Sequence, residues 1–120
     1  MDGTVGPATG EARERVISTV EDSHEYETLY RYFTERGYEA GERRVVDDGE
    51  SYIVDIVFES EEPRVSAEAT LILRRPNYEL EVYDATGYVE YEDETGEIVE
   101  VETVPYEHGG IGEVERTSVE

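Results

Sequence analysis

The densest apolar run in the chain covers residues 52–58 and is interrupted by one charged residue, Asp55. Its β-branched content, its short length and the Asp-Gly turn signal before it predict a strand in the middle of a sheet. Because side chains alternate along a strand, Asp55 lies on the outer face of the sheet if Val54 and Ile56 face the core. The other elements are expected to fold around this strand.

Helical periodicity marks two segments before this strand. Four apolar residues at the spacing of one helical face predict a first, short helix: Ala12, Val16, Ile17 and Val20. A second stripe predicts the main amphipathic helix, over 23–36: Tyr26, Leu29, Tyr30 and Phe33. Asp22 or Ser23 is expected to cap the start of this helix. Gly37 is expected to end it, with Tyr38 folding back as a hydrophobic partner.

Beyond this helix, period-two alternation predicts strands joined by short turns, one of them at 85–87. The predicted strands cover residues 42–46, 51–58, 64–74, 78–84, 88–91 and 97–104. Parallel crossovers need about a dozen or more residues, so connections this short predict an antiparallel sheet. The expected fold is α+β. It has one main amphipathic helix, with or without a short helix before it, on a five- or six-stranded antiparallel meander with one wetter face.

The same pattern divides the chain into three parts. Residues 1–10 are rich in Gly and Pro and are expected to form a flexible leader, 11–105 a single domain, and 106–120 a frayed tail. The first residues form neither a basic nor an apolar segment, so no secretory signal is expected. No apolar run reaches the roughly 18 residues of a transmembrane helix, so the membrane is not an expected partner.

Charge changes this picture. Asp and Glu number 32 against 10 basic residues, all of them Arg, and the net charge is −22. Such a charge destabilises a compact state in dilute salt, but at molar salt the Debye length falls to about 3 Å. We therefore expect a halophilic, haloarchaeal protein of a salt-rich cytoplasm, surrounded by bulk potassium or sodium ions. The alternative, a disordered acidic chain, conflicts with 10 tyrosines and regular alternation.

Composition and motifs also restrict the chemistry. A surface this acidic disfavours nucleic acid as a partner. The chain has no Cys and two separated histidines, His24 and His108, so no metal site is expected. The acidic segments 47–50 and 92–97 lack the ligand spacing of a calcium loop and are interpreted as solvated turns. Without a Gly-x-Ser-x-Gly elbow, a P-loop or a Rossmann fingerprint, catalysis is the less favoured interpretation, and no cofactor is expected.

Asp55 leaves two interpretations open. It either faces solvent or pairs with an arginine, or it acts as a catalytic base. The candidate arginines are Arg43, Arg74 and Arg75. If the chain is a small enzyme or ligand binder, the predicted site is a helix–sheet pocket around Asp55 and Glu68, with His24. The same arginines either form a patch for an anion or an acidic partner or neutralise nearby carboxylates.

Tyrosine supplies the candidate binding surface. Tyr83, Tyr88 and Tyr91 alternate with acidic residues in the last predicted strands and are expected to form an exposed aromatic band. This band, or the edge strand at 97–104, is predicted to bind a protein partner or a second copy of the chain. The alternative is that tyrosine fills a core that is poor in Leu and Phe. The favoured function is a small, salt-adapted, non-catalytic interaction domain.

One segment resembles a known family. The predicted helix is followed by Arg36, Gly37 and Tyr38, then by 45–52 and an apolar strand that ends at Phe58. Over about residues 26–60 this order resembles the precursor region of haloarchaeal halocin-type peptides, which in that family is associated with immunity to the peptide. The chain departs from the family because it has no Cys-rich C-terminal peptide and no twin-arginine signal. The resemblance therefore implies at most an immunity-like binding domain.

Overall fold

The computed structural model describes residues 6–119, except for the side chain of Pro76. Over this range, two helices, α1 (Gly10–Glu21) and α2 (His24–Thr34), pack on one face of an antiparallel sheet. The sheet has eight strands: β1 (Gly6–Pro7), β2 (Glu39–Asp47), β3 (Ser51–Glu59), β4 (Val65–Arg74), β5 (Glu81–Glu92), β6 (Ile98–Glu107), β7 (Gly110–Ile111) and β8 (Glu115–Ser118). The α+β class is confirmed. The strand number exceeds the expected five or six because short strands form near both ends of the chain.

Neighbouring strands follow chain order from β1 to β6, as expected of a meander. β7 forms a tight hairpin with the end of β6, and β8 then pairs with residues 100–103 of the same strand. Both lie on the side of β6 that does not pair with β5. The prediction of a free edge at 97–104 is therefore wrong, because the chain's own C-terminal segment pairs the backbone groups of β6.

Both helices form close to the predicted positions. Each buries two residues of its apolar stripe: Val16 and Val20 in α1, and Leu29 and Phe33 in α2. Ser23 is the N-cap of α2, and its Oγ accepts a hydrogen bond from the backbone N–H of Tyr26 at 3.1 Å. Asp22, the other candidate for this role, is instead the C-cap of α1. A serine hydroxyl satisfies one of the free N–H groups at a helix start, which explains why a new helix begins here.

The end of α2 turns the chain into the sheet. Gly37 has φ +92°, a left-handed conformation that favours glycine. The backbone N–H of Tyr38 then donates to the carbonyl oxygen of Phe33 at 3.1 Å. The rings of Tyr38 and Phe33 meet edge to face with their centroids 5.7 Å apart. The predicted helix end and its hydrophobic partner are confirmed.

The core lies between the helices and the central strands. In β3, Val54, Ile56 and Phe58 are buried on the helix side, whereas Asp55 lies on the other face. In β4, every second residue is buried on the same side: Ala67, Ala69, Leu71 and Leu73. The predicted orientation of the central strand is confirmed.

β5 is one continuous strand, so the turn predicted at 85–87 is wrong. Gly87 lies inside this strand and pairs with Ala69 of β4 and Val104 of β6. A Cβ atom at Gly87 would lie 2.8 Å from Cζ of Phe33, closer than carbon atoms approach without displacement. Helix α2 therefore reaches the sheet at a glycine, and the residue that suggested a turn instead permits close packing.

Both ends of the described chain are more regular than expected. Residues 1–5 of the expected leader lie outside the described residues, but β1 pairs with β2, and the N–H of Ala8 donates to the carbonyl oxygen of Val45 at 2.9 Å. Within the expected frayed tail, β7 and β8 are strands, so that prediction is wrong for those residues. Each end supplies partners for backbone groups at a sheet edge.

Candidate functional site

The helices cover one face of the sheet, and no helix among residues 6–119 lies on the other. We call this second face the uncovered face and define it by three cross-strand rows. The first row is Val46, Ile53, Ile72 and Asp84; the second is Arg44, Asp55, Thr70 and Thr86; the third is Val57, Glu68, Tyr88 and Thr103. All of these side chains are half-buried except those of Arg44 and Asp84, which are exposed. The uncovered face thus combines an apolar row with a polar centre.

Asp55 occupies the middle of this polar centre. The hydroxyl of Thr70 donates to Asp55 Oδ1 at 2.7 Å. Arg44 lies opposite Asp55 in the strand register, but its guanidinium donates to Glu42 at 2.8 Å. The proposed partner Arg43 lies on the helix side of the sheet, where it pairs with Glu21. Asp55 therefore faces outward, as expected, with a threonine hydroxyl as its hydrogen-bond donor.

Glu68 lies diagonally across the sheet from Asp55, two residue pairs further along β3 and β4. Burial raises the pKa of Glu68 above its ordinary value of 4.5. The nearby carboxylates of Asp55 and Glu90 raise this pKa further, and Arg44 lowers it. The centre of the uncovered face therefore carries a negative potential that favours a proton or a cation.

His24 is not part of this carboxylate pair. It lies at the start of α2, on the helix side of the molecule, where its Nε2 donates to the carbonyl oxygen of Gly109 at 2.9 Å. Its ring also meets that of Tyr106 edge to face, with the centroids 5.9 Å apart. The structure thus brings Asp55 and Glu68 together on an open face, and does not join them with His24 in a helix–sheet pocket.

The three candidate tyrosines do not form one band. Tyr88 lies in the uncovered face, opposite Glu68. Tyr91, three residues later, projects to the helix side, because an odd offset along a strand reverses the face. Tyr83 lies at an irregularity in the pairing of β4 with β5, with the guanidinium carbon of Arg74 4.8 Å from its ring centroid. The predicted band is therefore wrong, and only Tyr88 belongs to the uncovered face.

The candidate arginine patch is also dispersed. Arg43 pairs across the sheet with Ile56, whose partner in β4 is Ala69, five residues before Arg74. Arg74 and Arg75 are exposed at the end of β4. The arginines therefore lie at two separate places and do not form one anion-binding surface.

The acidic segments close hairpin turns. Asp48 Oδ1 accepts hydrogen bonds from the N–H of Glu50 at 3.0 Å and of Ser51 at 2.7 Å, and these bonds, above all that of Ser51, lower the pKa of Asp48. Asp93 accepts from the hydroxyl of Thr95 at 2.6 Å and from its N–H at 2.8 Å, which lowers the pKa of Asp93. Among residues 6–119, no three His, Asp or Glu side chains are grouped as metal ligands.

The structure also contains a cleft at the C-terminal end of α2, which the sequence did not predict. Tyr32 and Tyr38 line it from the helix and the loop that follows, and Tyr91 lines it from β5. Glu62 and Glu102 reach it from the β3–β4 turn and from β6. No short motif contains these residues, because they come from four separate segments that meet only in the folded chain.

Comparisons with protein-family models, with curated proteins and with solved structures find no match for this chain. The resemblance to halocin-type precursors therefore stays a prediction. Of the helices in the described range, neither has the length and apolar character needed to cross a membrane. The uncovered face and its charges remain the basis for a functional conclusion.

Proposed function

We propose that the chain is a small, non-catalytic interaction domain of a salt-rich cytoplasm, and that its uncovered face binds another protein. One observation carries this proposal: both helices lie on one face of the sheet, and the other presents the row Val46, Ile53 and Ile72. Val57 and Tyr88 add apolar side chains in the third row, on the other side of the polar centre. A sheet face that presents apolar side chains around a polar centre and that no helix covers is suited to interaction with another protein.

The charges on this face favour a basic partner. The carboxylates of Asp55 and Glu90 help to raise the pKa of Glu68, and Arg44 is already engaged by Glu42. A Lys or Arg side chain from a partner would offset the repulsion that raises the pKa of Glu68. A second copy of the chain would bring the same carboxylates instead. A different protein with basic and apolar residues therefore complements the face better.

The position of the carboxylates supports binding over catalysis. Asp55 and Glu68 lie on an open sheet face, whereas enzymes usually hold their reactive groups in a concave pocket. The Thr70 hydroxyl also occupies one oxygen of Asp55, as expected of a carboxylate with a structural role.

A pull-down experiment tests the proposal. Tagged wild type and tagged Ile72→Arg are compared, in molar potassium chloride, for the amount of partner protein that each recovers. Ile72 is half-buried in the apolar row, where an arginine would interrupt apolar contact and repel a basic partner. We expect Ile72→Arg to recover at least about tenfold less of the partner that wild type binds. Val114→Arg is the matched control, since Val114 is an exposed apolar residue between β7 and β8.

Circular dichroism establishes that both variants fold before recovery is compared. Equal recovery by Ile72→Arg and wild type would contradict the uncovered face as the binding surface. Light scattering in the same buffer separates the two kinds of partner. If wild type forms a dimer and Ile72→Arg does not, the partner of the uncovered face is a second copy of the chain and not a different protein.

A further inference from the structure

The cleft at the C-terminal end of α2 lies on the helix side of the sheet, away from the uncovered face. Its volume is about 310 Å³, at the lower end of the range of about 300–1,000 Å³ that small-molecule sites occupy. Three aromatic rings, those of Tyr32, Tyr38 and Tyr91, line it together with the buried Val89. The interaction proposed for the uncovered face makes no use of this cleft.

Two arginines of the chain lie over two of these rings. The guanidinium carbon of Arg36 is 3.6 Å from the ring centroid of Tyr32, and that of Arg116 is 4.7 Å from that of Tyr91. Both distances are within the roughly 6 Å of a cation–π contact. Arg116 also donates to the Tyr91 hydroxyl at 2.8 Å and pairs with Glu100 at 2.9 Å and with Glu102 at 3.5 Å. Arg116 thus combines stacking on a tyrosine with N–H donation to oxygen atoms.

Tyr38 presents a third ring to the cleft. No guanidinium among the described residues lies over it, and its orientation is held by Phe33, which it meets edge to face at 5.7 Å. Tyr32 packs on the same Phe33 at 5.4 Å, and Phe33 is fully buried. Two of the three rings are therefore positioned by a rigid core residue before any ligand arrives.

Carboxylates give the cleft a negative potential. Glu61, Glu62 and Glu102 line it together with Arg36, and Glu102 also pairs with the Arg116 guanidinium at 3.5 Å. Burial raises the pKa of the Tyr38 hydroxyl, and Tyr91, Glu102 and Glu62 raise it further. The N–H of Glu62 donates to the hydroxyl of Ser60 at 3.0 Å, which holds the β3–β4 turn beside the rings. The field at Tyr38 therefore opposes a negative charge and favours a cation.

We propose that this cleft binds a guanidinium group, stacked on Tyr38 and hydrogen-bonded to Glu62 and to Glu102, which Arg116 approaches only to 3.5 Å. A guanidinium has a flat face for the ring and N–H donors at its rim for carboxylates, as Arg116 demonstrates on Tyr91. An ammonium group is a compact, strongly hydrated charge without such a face. The guanidinium comes either from an arginine side chain of a protein or from a free small compound.

An NMR titration of the full chain in molar potassium chloride tests this site. The probes are N-acetylarginine amide, methylguanidinium and N-acetyllysine amide. We expect the ring protons of Tyr32, Tyr38 and Tyr91 to shift with both guanidinium probes, and the arginine probe to bind about threefold or more tighter than the lysine probe. Tighter binding of the arginine probe than of methylguanidinium assigns the source to a protein side chain, and the reverse assigns it to a free compound.

Variants separate stacking from folding. Tyr38→Phe keeps the ring and is expected to bind the arginine probe within about twofold of wild type, whereas Tyr38→Leu is expected to lose about fivefold or more. Glu102→Gln removes a carboxylate without removing a ring and is expected to weaken binding severalfold. Tyr83→Leu is the control, because Tyr83 is 49% exposed and does not line the cleft.

Three results would overturn the proposal: no shift at the cleft tyrosines of wild type, equal affinity for the lysine probe, or unchanged affinity in Tyr38→Leu. If Tyr38→Leu does not fold, the wild-type shifts and Glu102→Gln decide the question. Because these variants lie outside the uncovered face, failure here leaves the partner-recovery experiment with Ile72→Arg unaffected.

Discussion

At Glu68, on the uncovered face, burial and the neighbouring carboxylates of Asp55 and Glu90 all raise the pKa of the side chain. Its pKa in the folded protein is therefore above the ordinary value of 4.5. At a pH between these two pKa values, the folded protein retains a proton that the unfolded chain releases. The stability that this residue contributes is fully present below the ordinary value and is lost as pH rises through the raised pKa. An ionised Glu68 therefore opposes folding at neutral pH.

Glu68→Gln is expected to raise the free energy of unfolding near neutral pH by about 0.5–1 kcal/mol, a gain limited by partial exposure and by salt. The gain should diminish on acidification, because Glu68 becomes protonated in the folded protein and the two proteins then carry the same local charge. Urea unfolding across acidic and neutral pH, at constant molar potassium chloride, measures this difference.

Glu14→Gln controls for the general effect of removing one negative charge, since Glu14 is exposed on α1, away from the uncovered face. We expect its effect to be smaller than that of Glu68→Gln. A difference between Glu68→Gln and wild type that does not change with pH would contradict the raised pKa.

Among the elements, the contact of α2 with β5 depends on the absence of a side chain. Gly87 lies beneath Phe33, and a Cβ atom would meet Cζ at 2.8 Å and Cε2 at 2.9 Å. Phe33 is fully buried and also touches Phe58, with the ring centroids 4.7 Å apart. The ring has no room to withdraw without displacing the core, because protein interiors are close-packed.

Gly87→Ala is therefore expected to lower the free energy of unfolding by about 1–3 kcal/mol through overpacking. Gly110→Ala is the matched control, because a Cβ atom at Gly110 would meet nothing within 4 Å. Its effect is expected to stay within about 0.5 kcal/mol. Thermal unfolding of the three proteins in the same salt measures both effects, and equal midpoints would contradict the proposed contact.

For the whole molecule, charge is confined to the surface. No polar or charged residue of the described range is buried, so the described carboxylates share an accessible surface of 7694 Å². Arginines pair with some of them, as in Arg31 with Glu27 and Arg44 with Glu42, but these pairs are exposed. Exposed pairs contribute about 0–1 kcal/mol each, which does not offset the repulsion of a net charge of −22.

The fold is therefore expected to depend on salt. Lowering potassium chloride from molar to about 0.1 M lengthens the Debye length from about 3 Å to about 10 Å and restores the repulsion. We expect the unfolding midpoint to fall by about 10 °C or more, equivalent to roughly 2 kcal/mol. Circular dichroism at each salt concentration measures the change, and sodium chloride at equal ionic strength is the control for screening. An unchanged midpoint would contradict salt adaptation.

Much of the fold and less of the site could be predicted from the sequence. The stripe of α2, its end at Gly37 and the outward position of Asp55 follow from local periodicity and turn chemistry. The pairing of β8 with β6 could not be foreseen, because its short polar strand has no apolar alternation of its own. The predicted band of Tyr88 and Tyr91 is wrong because the two residues are an odd number of positions apart in β5 and therefore lie on opposite faces.

By itself the sequence determined which segments are helices and strands, which face of each is apolar, and the net charge that sets the electrostatic repulsion within the molecule. These properties depend on neighbours three or four residues away in a helix, two residues away in a strand, or on composition alone. Tertiary structure alone decided that Gly87 receives Phe33 rather than making a turn, and that the C-terminal segment closes the edge of β6. It also assembled the cleft from Tyr32, Tyr38 and Tyr91. Such contacts join residues far apart in the chain, and no local pattern encodes which distant side chain will occupy the space beside them.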